Sequence, residues 1–329
     1  MKILVVGGAG YIGSHMVAEL LDNGHDAVIL DNLSKGHRKA VLGGEFIKGS
    51  LLDQKCLDKV FSGNRIDAVM HFAADSQVGE SMVKPDQYFR NNDVGGLNLL
   101  DAMNKHGVKK IIFSSTAAIF GEPDKIPIEE NNTKLPTNPY GESKLIFEKI
   151  LNWYDKIFGI KYAALRYFNA AGAHKSAKIG EDHKPETHLI PIVLQAALGQ
   201  REQVDIFGGD YETADGTCVR DYVHIIDLAQ AHLLALEKLA QGSQSTQYNL
   251  GHGQGFSVKQ VLKAAEEVTG KKIKSRIAPR RAGDPAKLIA SSSKIKKELG
   301  WKPRYEDIHS IIDSAWKWHK SHPNGYSKA

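Results

Sequence analysis

Tyr140 and Lys144 are the residues whose types and spacing point most directly to chemistry. Pro139 suits the first position of a helix capped by Thr137 or Asn138, and a spacing of four then places both side chains on one helical face. A free tyrosine, with a pKa of about 10, is a poor base at neutral pH, but a nearby ammonium stabilises its phenolate. The pair therefore predicts Tyr140 as a general base assisted by Lys144. Because this spacing is also common on helix surfaces, the prediction depends on the surrounding fold.

Ser114 and Thr116 follow the apolar run Ile111–Phe113, where a hydroxyl could hydrogen-bond the oxygen that exchanges a proton with Tyr140. Small polar residues also simply end strands, so this interpretation rests on the tyrosine–lysine pair. The sequence has no G-x-S-x-G and no H-E-x-x-H pattern. Its fourteen histidines show no zinc spacing, so no metal site is predicted.

A glycine-rich segment at the start of the chain predicts a dinucleotide site. The apolar run Ile3–Val6 precedes Gly7, Gly10 and Gly13, which open a helical stretch. In such a motif the glycines allow a tight turn, close approach of the backbone to a pyrophosphate, and close packing of helix on strand. Backbone N–H groups at the helix N-terminus then face the anion.

Asp31 follows the second apolar run, where a carboxylate can accept hydrogen bonds from the adenosine ribose and repel the extra phosphate of NADP. The alternative is an ordinary turn residue at the end of a strand. Together with the upstream glycines, Asp31 favours NAD as the cofactor. Lys35 and Arg38 nearby leave NADP open.

Hydrophobic periodicity predicts an α/β fold with a doubly wound, Rossmann-like parallel sheet and a second, smaller α/β substrate-binding lobe. Buried strands are predicted at 2–6, 27–30, 45–48, 67–72, 109–114 and 161–166. Helices are predicted near 12–23, 54–62, 88–106 and 140–158. We expect an NAD-binding domain over 1–170 and a smaller second lobe over 171–329, with the segment near 214–236 free to return to the first domain.

The composition narrows the class of protein further. The chain has 329 residues, two cysteines and a net charge of +5. No apolar run approaches the ~20 residues of a membrane span, and so few cysteines favour reduced thiols and a cytoplasmic location. The basic cluster from Lys271 to Arg281 is either a solvated surface or an anion site. Because no known nucleic-acid-binding motif accompanies it, the positive charge does not indicate nucleic-acid binding.

These motifs together resemble the extended short-chain dehydrogenase/reductases and, within them, the UDP-glucose 4-epimerase family. The resemblance covers almost the whole chain, through Gly7–Gly13, Asp31–Ser34, His71–Ala74, Val78–Ser81, Ser114–Thr116, Tyr140–Lys144, Arg166–Asn169 and Val219–His224. It implies that Tyr140, assisted by Thr116, removes the proton from the sugar 4-hydroxyl while hydride passes from C4 to NAD. The 4-keto sugar then turns over and is reduced on its other face, which interconverts UDP-glucose and UDP-galactose.

The resemblance also implies the binding residues. The cofactor residues are Gly7, Gly10, Tyr11, Ile12, Gly13, Asp31, Asn32, Leu33, Ser34, Gly36, Ser50, Leu51, Phe72, Ala73, Ala74, Asn92, Ser114, Tyr140, Lys144 and Phe168. The substrate residues are Thr116, Tyr140, Asn169, His188, Leu189, Asp205, Phe207, Arg220, Arg281, Asp284 and Leu288. A homodimer is expected through the helices near 88–106 and 140–158.

Three positions depart from the family pattern. Ser50 stands where an adenine-binding aspartate is frequent, with Asp53 three residues later. Ser76 stands where a lysine is frequent, so one cofactor contact is in doubt. Leu288 occupies a position where a bulky tyrosine is associated with exclusion of N-acetylated sugars, which leaves activity on UDP-N-acetylglucosamine and UDP-N-acetylgalactosamine open.

Two other functions compete with epimerisation. A related NAD-dependent nucleotide-sugar epimerase or dehydratase would share the fold and the tyrosine–lysine pair. Dehydration, however, requires acidic groups after the strand-end threonine, where this chain has Ala117 and Ala118. A catalytically silent NAD-binding sensor would belong to a different class, and the presence of Thr116, Tyr140 and Lys144 argues against it.

Overall fold

A seven-stranded parallel sheet forms the centre of the molecule. The computed structural model describes residues 1–281 and 284–326. Its first six strands are β1 (Lys2–Val6), β2 (Asp26–Asp31), β3 (Glu45–Lys48), β4 (Ala68–His71), β5 (Lys110–Thr116) and β6 (Lys161–Tyr167). All six lie within two residues of the predicted bounds, and the predicted doubly wound sheet is confirmed.

The alternating direction of the side chains along β1 shows why every position of the run Ile3–Val6 is apolar. Ile3 and Val5 point into one core layer, whereas Leu4 and Val6 point into the other. Successive side chains of a strand face opposite sides, so a sheet covered on both faces requires apolar residues at every position. The helices of this half are α1 (Tyr11–Asp22), α2 (Gln54–Gly63), α3 (Val78–Ser81), α4 (Pro85–Tyr88), α5 (Gly95–Lys105) and α6 (Pro139–Phe158).

The helix predicted near 88–106 is divided in the structure. A π-helical stretch, Phe89–Val94, separates α4 from α5. Within it, the buried side chain of Asn92 accepts a hydrogen bond from Asp75 N at 2.9 Å and donates to Asp75 O at 3.1 Å. These two hydrogen bonds connect the π-helical stretch to the loop after β4. Helical periodicity in the sequence does not reveal such a π-helical stretch.

The remaining elements come from the second half of the chain. The strands are β7 (Asn169–Ala171), β8 (Val204–Phe207), β9 (Val219–Arg220), β10 (Tyr222–His224), β11 (Thr246–Leu250), β12 (Phe256–Ser257), β13 (Ser275–Ala278) and β14 (Lys287–Leu288). The helices are α7 (Leu189–Ala197), α8 (Ile225–Ala240), α9 (Val258–Thr269), α10 (Ser293–Leu299) and α11 (Ile308–Ser321).

Two of these later elements complete the central sheet. Strand β11 pairs with β6 and gives the order β11-β6-β5-β4-β1-β2-β3. Helix α8 packs beside α1 in the core layer that contains Ile3 and Val5. A separate apolar cluster joins α7, α9 and α11 with β8, which forms the second lobe. Among the described residues, no helix is long and apolar enough to cross a membrane.

Candidate functional site

The turn between β1 and α1 lies against the loop that follows β4. Gly7 has a φ of 79°, in the left-handed region, and a Cβ atom there would lie 2.5 Å from Ala73 N. A Cβ atom at Gly13 would overlap the carbonyl oxygen of Gly7 and lie 2.8 Å from the Cα of Gly8. The turn and the first turn of α1 are therefore in contact through backbone atoms alone, a packing that only glycine permits.

The N-terminus of α1 presents uncapped N–H groups at this turn. Gly10 is the residue that precedes the helix, and it supplies no capping side chain. A Cβ atom at Gly10 would meet only Gly7 O, at 3.3 Å. Backbone donors with the helix dipole behind them favour an anion, and the missing side chain lets that anion approach.

Asp31 ends β2 beside the same turn. Its buried carboxylate accepts hydrogen bonds from Ala9 N at 3.0 Å and from Leu33 N at 2.8 Å. Burial raises the pKa of Asp31 above its usual 3.8, and these two N–H groups oppose the rise. The carboxylate is thus fixed by the backbone and can accept hydroxyl hydrogen bonds from a ribose.

Helix α6 carries the predicted tyrosine–lysine pair on one face. It begins at Pro139, with Asn138 Oδ1 accepting the N–H of Gly141 at 2.9 Å, as the sequence predicted. Lys144 Nζ donates to Ser114 O at 2.8 Å, which ties the helix to the end of β5. Burial raises the pKa of Tyr140 above its usual 10.0, and a hydrogen bond with Thr116 opposes the rise.

Lys144 has an acidic neighbour that the sequence did not single out. Burial lowers the pKa of the Lys144 ammonium to about 7, against the opposing charges of Asp93 and Glu148. Burial also raises the pKa of Asp93 to about 7, while the Lys144 ammonium lowers it. Among the described residues, neither oxygen of the Asp93 carboxylate has a hydrogen-bond partner. Charge at this site therefore depends on the proton content of two buried groups.

A buried ion pair fixes α6 against β5 and β6. Arg166 donates to Glu148 from Nε at 2.9 Å and from a second guanidinium nitrogen at 2.5 Å. Ser115 Oγ donates to the same carboxylate at 2.6 Å. Removing one partner of such a pair leaves an uncompensated buried charge. The pair therefore holds Tyr140 and Lys144 in register with the strand that carries Thr116.

Several of the predicted substrate residues of the second lobe lie near β9. Arg220 forms an ion pair with Asp284, and the guanidinium of Arg281 lies 3.9 Å from the centre of the Phe207 ring. Strand β14 pairs with β9 so that Leu288 is opposite Arg220. Asn169 Nδ2 donates to Asp221 O at 3.0 Å, which connects this cluster to β7. The guanidinium groups of Arg220 and Arg281 suit the phosphate oxygens of a nucleoside diphosphate.

Comparison with known proteins adds an independent observation. A family model described as "NAD dependent epimerase/dehydratase family" matches residues 3–251. The chain belongs to the NAD-dependent epimerase/dehydratase family. The resemblance inferred from the motifs is thereby confirmed.

Similar members of this family match the chain along nearly its whole length. The UDP-glucose 4-epimerase of Streptococcus mutans is 57% identical over 329 residues, covering 99% of each chain. That of Halalkalibacterium halodurans is 56% identical over 327 residues, covering 99% of this chain and 98% of its own. A crystal structure of UDP-glucose 4-epimerase from Bifidobacterium longum in complex with NAD⁺ and UDP is 40% identical, with a TM-score of 0.93, and covers 99% of this chain and 100% of that one.

The other cofactor residues predicted for this chain follow successive strands of the central sheet. Tyr11 and Ile12 begin α1, Asn32–Ser34 and Gly36 follow β2, Ser50 and Leu51 follow β3, Phe72–Ala74 follow β4, and Phe168 follows β6. The carboxyl ends of parallel strands share one edge of the sheet, which is where ligands of doubly wound folds bind.

In this chain, some of the predicted site residues have side-chain partners within the protein. Asp205 is paired with Arg276 at 2.6 Å. The Asn92 amide also donates to Ser143 Oγ at 3.0 Å, so its side chain serves as an anchor within the protein. Asp53 accepts the N–H of Cys56 at 3.0 Å and caps α2. This capping contact is local and belongs to the helix.

Asp221 is a buried connector that the sequence analysis did not name as a site residue. Its carboxylate accepts N–H groups from His252 at 2.8 Å, from Gly253 at 3.1 Å and from Ala290 at 3.1 Å. Burial raises the pKa of Asp221 to about 6, and these N–H groups oppose the rise. One carboxylate thus joins three segments around β9. Its position between Arg220 and Tyr222 was the only available sequence signal.

Proposed function

We propose that the protein is an NAD-dependent epimerase that interconverts UDP-glucose and UDP-galactose at C4 of the sugar. The observation that carries the proposal is the arrangement of Tyr140, Thr116 and Lys144 at the sheet edge that also carries the glycine turn. The arginine cluster around β9 supports a nucleoside diphosphate as the rest of the substrate. The names of the similar family members support the same activity.

NAD is the cofactor that this site fits. The uncapped N-terminus of α1 suits its pyrophosphate, and the open side of Gly10 gives the backbone access to it. Asp31 suits the adenosine ribose, and its negative charge disfavours NADP. When bound, NAD would take a hydride from C4 of the sugar and return it. The residues named after β1 to β6 would hold the cofactor.

Tyr140 moves the proton at the sugar 4-hydroxyl in this proposal. A hydrogen bond with Thr116 lowers the pKa of its phenol, and we infer that both hydroxyl groups contact the same substrate oxygen. Because burial raises the pKa of the phenol, the phenolate needs a positive charge nearby to form. The Lys144 ammonium supplies one and is held toward the strand end by Ser114 O.

Arg220, Arg281 and Asn169 hold the UDP portion in the proposal. Bidentate guanidinium contacts fix phosphate oxygens strongly, whereas Tyr140 and Thr116 offer the sugar two hydroxyl groups. The 4-keto sugar must turn over so that both of its faces can meet the cofactor. The nucleotide must therefore be bound tightly and the sugar loosely. The ion pair with Asp284 orients the guanidinium of Arg220.

The test is epimerisation of UDP-galactose by purified protein without added cofactor. We expect turnover in the unmodified protein and a decrease of at least ~10²-fold in Tyr140→Phe with NAD still bound. Tyr154→Phe is the matched control, since it removes a phenol from the same helix, where the hydroxyl contacts Asp101 at 2.5 Å. Equal turnover in both variants would remove Tyr140 from the mechanism. Bound NAD without turnover of either UDP-hexose would instead support a sensor.

We also propose that two copies of this chain associate through α5 and α6. Trp153 and Ile157 are 60% and 65% exposed and lie one helical turn apart, and Val94 before α5 is 45% exposed. A second copy of the chain would cover these exposed apolar side chains through a symmetric contact. Light scattering should give twice the chain mass, and Trp153→Glu should give a monomer. Leu135→Glu, which changes an exposed leucine in a loop, should leave the mass unchanged.

We propose that residues 1–170 form the NAD-binding domain and residues 171–329 the UDP-sugar lobe, of which 282, 283 and 327–329 lie outside the described residues. The packing of α8 beside α1 supports the return of the segment near 214–236 to the first domain. Strand β11, which follows that segment, also joins the central sheet. The free thiols Cys56 and Cys218 support a reducing, cytoplasmic location, testable by cell fractionation.

A further inference from the structure

Four side chains between β7 and α7 converge on one point outside the tyrosine–lysine site. They are Glu181, His183, Glu186 and His188, and the nearest ligand atoms of all four lie within 4.8 Å of one another. We propose that this cluster binds one divalent first-row metal ion, with zinc as the reference ion. The ion would be structural, since four protein ligands fill the tetrahedral coordination that zinc prefers in such sites.

The donor atoms are arranged around a shared centre. His183 Nδ1 lies 3.2 Å from Glu181 Oε1 and 3.7 Å from Glu186 Oε2. His188 Nδ1 lies 2.9 Å from Glu181 Oε1 and 3.0 Å from Glu186 Oε1. Two imidazole nitrogens thus face the same pair of carboxylates. Imidazole and carboxylate together form a donor set suited to zinc and neighbouring divalent ions.

Burial and an unmatched nitrogen point to a ligand at this centre. The side chains of Glu181 and Glu186 are only 6% and 3% exposed. His183 Nδ1 is buried, and within the described part of the chain it has no partner in hydrogen-bonding geometry. A buried nitrogen aimed at carboxylates but poorly placed for a hydrogen bond is satisfied when a cation occupies the space between them.

A cavity of about 760 Å³ gives access to the cluster from solvent. Its lining includes Glu181, His183 and Glu186, together with the buried His319. An entry path is one requirement of a metal site that loads after folding.

An exposed cluster elsewhere shows what simple ion pairing looks like in this chain. His309 contacts Asp307 through Nδ1 at 3.0 Å and Glu267 through Nε2 at 2.7 Å. The two carboxylates therefore lie on opposite sides of one ring and share no centre. In the Glu181–His188 cluster both rings direct the same nitrogen, Nδ1, inward.

The ion would fasten a segment that contacts both lobes. Asp182 O contacts His37 Nε2 at 3.0 Å, close to the loop after β2. His188, which the family resemblance suggests as a substrate residue, directly precedes Leu189, the first residue of α7 and a proposed substrate residue. In the present proposal the imidazole of His188 binds the ion and not the substrate. A metal at the cluster would hold this segment in place without taking part in proton or hydride transfer. The sequence analysis predicted no metal site, because the four ligands fit no zinc pattern that it searched for.

The test measures metal content and stability, not turnover. Purified protein, exchanged into zinc and freed of excess by gel filtration, should contain about one zinc ion per chain by mass spectrometry. Zinc at saturating concentration should raise the Tm of chelator-treated protein by about 5 °C. His183→Gln and Glu181→Gln should lose both the bound ion and the shift in Tm. His309→Gln is the matched control and should retain both.

Two results would overturn the proposal. One is unmodified protein that holds no zinc, cobalt or manganese after exchange and shows no change in Tm with any of them. The other is folded His183→Gln or Glu181→Gln protein, judged by circular dichroism, that binds as much zinc as the His309→Gln control. Failure of both cluster variants to fold would leave the metal content and the Tm response of the unmodified protein to decide. None of these readouts depends on epimerase activity.

Discussion

Gly13→Ala tests whether the backbone contact between α1 and the turn is as tight as the structure describes. A methyl group there would lie 2.8 Å from Gly8 Cα and 2.9 Å from the carbonyl carbon of Gly7. Non-bonded carbon atoms prefer separations of about 3.5–4.0 Å, so the helix and the turn must separate by about 1 Å. The atoms involved belong to the backbone and cannot rotate away. We therefore expect destabilisation of about 3 kcal/mol, the upper end of ordinary overpacking.

Substitutions at two other glycines distinguish a loss of stability from a loss of cofactor binding. A methyl group at Gly10 would meet only Gly7 O, at 3.3 Å, but it would lie on the side from which a pyrophosphate approaches. We expect Gly10→Ala to keep its stability and lose NAD. Gly63 has no atom within 4 Å of the added methyl, so Gly63→Ala should lose neither.

The assay is thermal unfolding of cofactor-free protein together with the NAD content of the purified protein. A cost of about 3 kcal/mol should lower the Tm of Gly13→Ala by roughly 6 °C. Equal Tm values for Gly13→Ala and Gly63→Ala would refute the backbone contact. Full NAD content in Gly10→Ala would refute the position assigned to the pyrophosphate.

Two further predictions concern the catalytic pocket. Because the pKa of Lys144 falls from 10.5 to about 7 on folding, the unfolded chain binds more protons between these values, and the contribution of Lys144 to stability rises with pH. Lys144→Met should therefore stabilise cofactor-free protein more, or destabilise it less, at pH 6 than at pH 9, and the difference in the free energy of unfolding should be about 2 kcal/mol. The measurement is urea unfolding at both pH values. Equal effects of the substitution at pH 6 and pH 9 would contradict the burial of the ammonium. Leu288 and Phe168 both pack against the apolar cluster that contains Ile119, in the turn after Thr116. Leu288→Tyr should therefore suppress any turnover of UDP-N-acetylgalactosamine more than that of UDP-galactose. An equal loss on both substrates in a coupled assay would exclude Leu288 as the gate.

Local sequence patterns determined much of the first half of this chain. The run Ile3–Val6 is apolar at every position because β1 is covered on both faces, and periodicity alone detects that. The contact of Gly13 with Gly7 and Gly8 is likewise local, whereas Gly7 itself lies against Ala73, which is distant in the sequence. The start of α6 could be predicted because Asn138 and Pro139 are cap residues, and Tyr140 and Lys144 follow at helical spacing.

Strand β11 shows why the second half could not be predicted in the same way. It is an edge strand of mixed polarity, without the continuous apolar pattern of the inner strands. Its buried Asn249 donates from Nδ2 to Ile128 O at 2.9 Å, and its N–H binds Glu130 Oε1 at 2.8 Å. Those partners lie more than a hundred residues earlier, so no local pattern could have indicated that both N–H donors of a buried asparagine find acceptors there.

The sequence by itself determined the class of fold, the family and the residues that could move a proton. Tertiary structure alone decided the surroundings that give those residues their properties. The electrostatic influence of Asp93 on Lys144, the hydrogen bonds of Asp221 and the convergence of Glu181 and His183 each depend on burial and on packing between elements. Burial removes the water that would otherwise solvate these charges, and side chains distant in sequence, or directed by an irregular loop, must replace it.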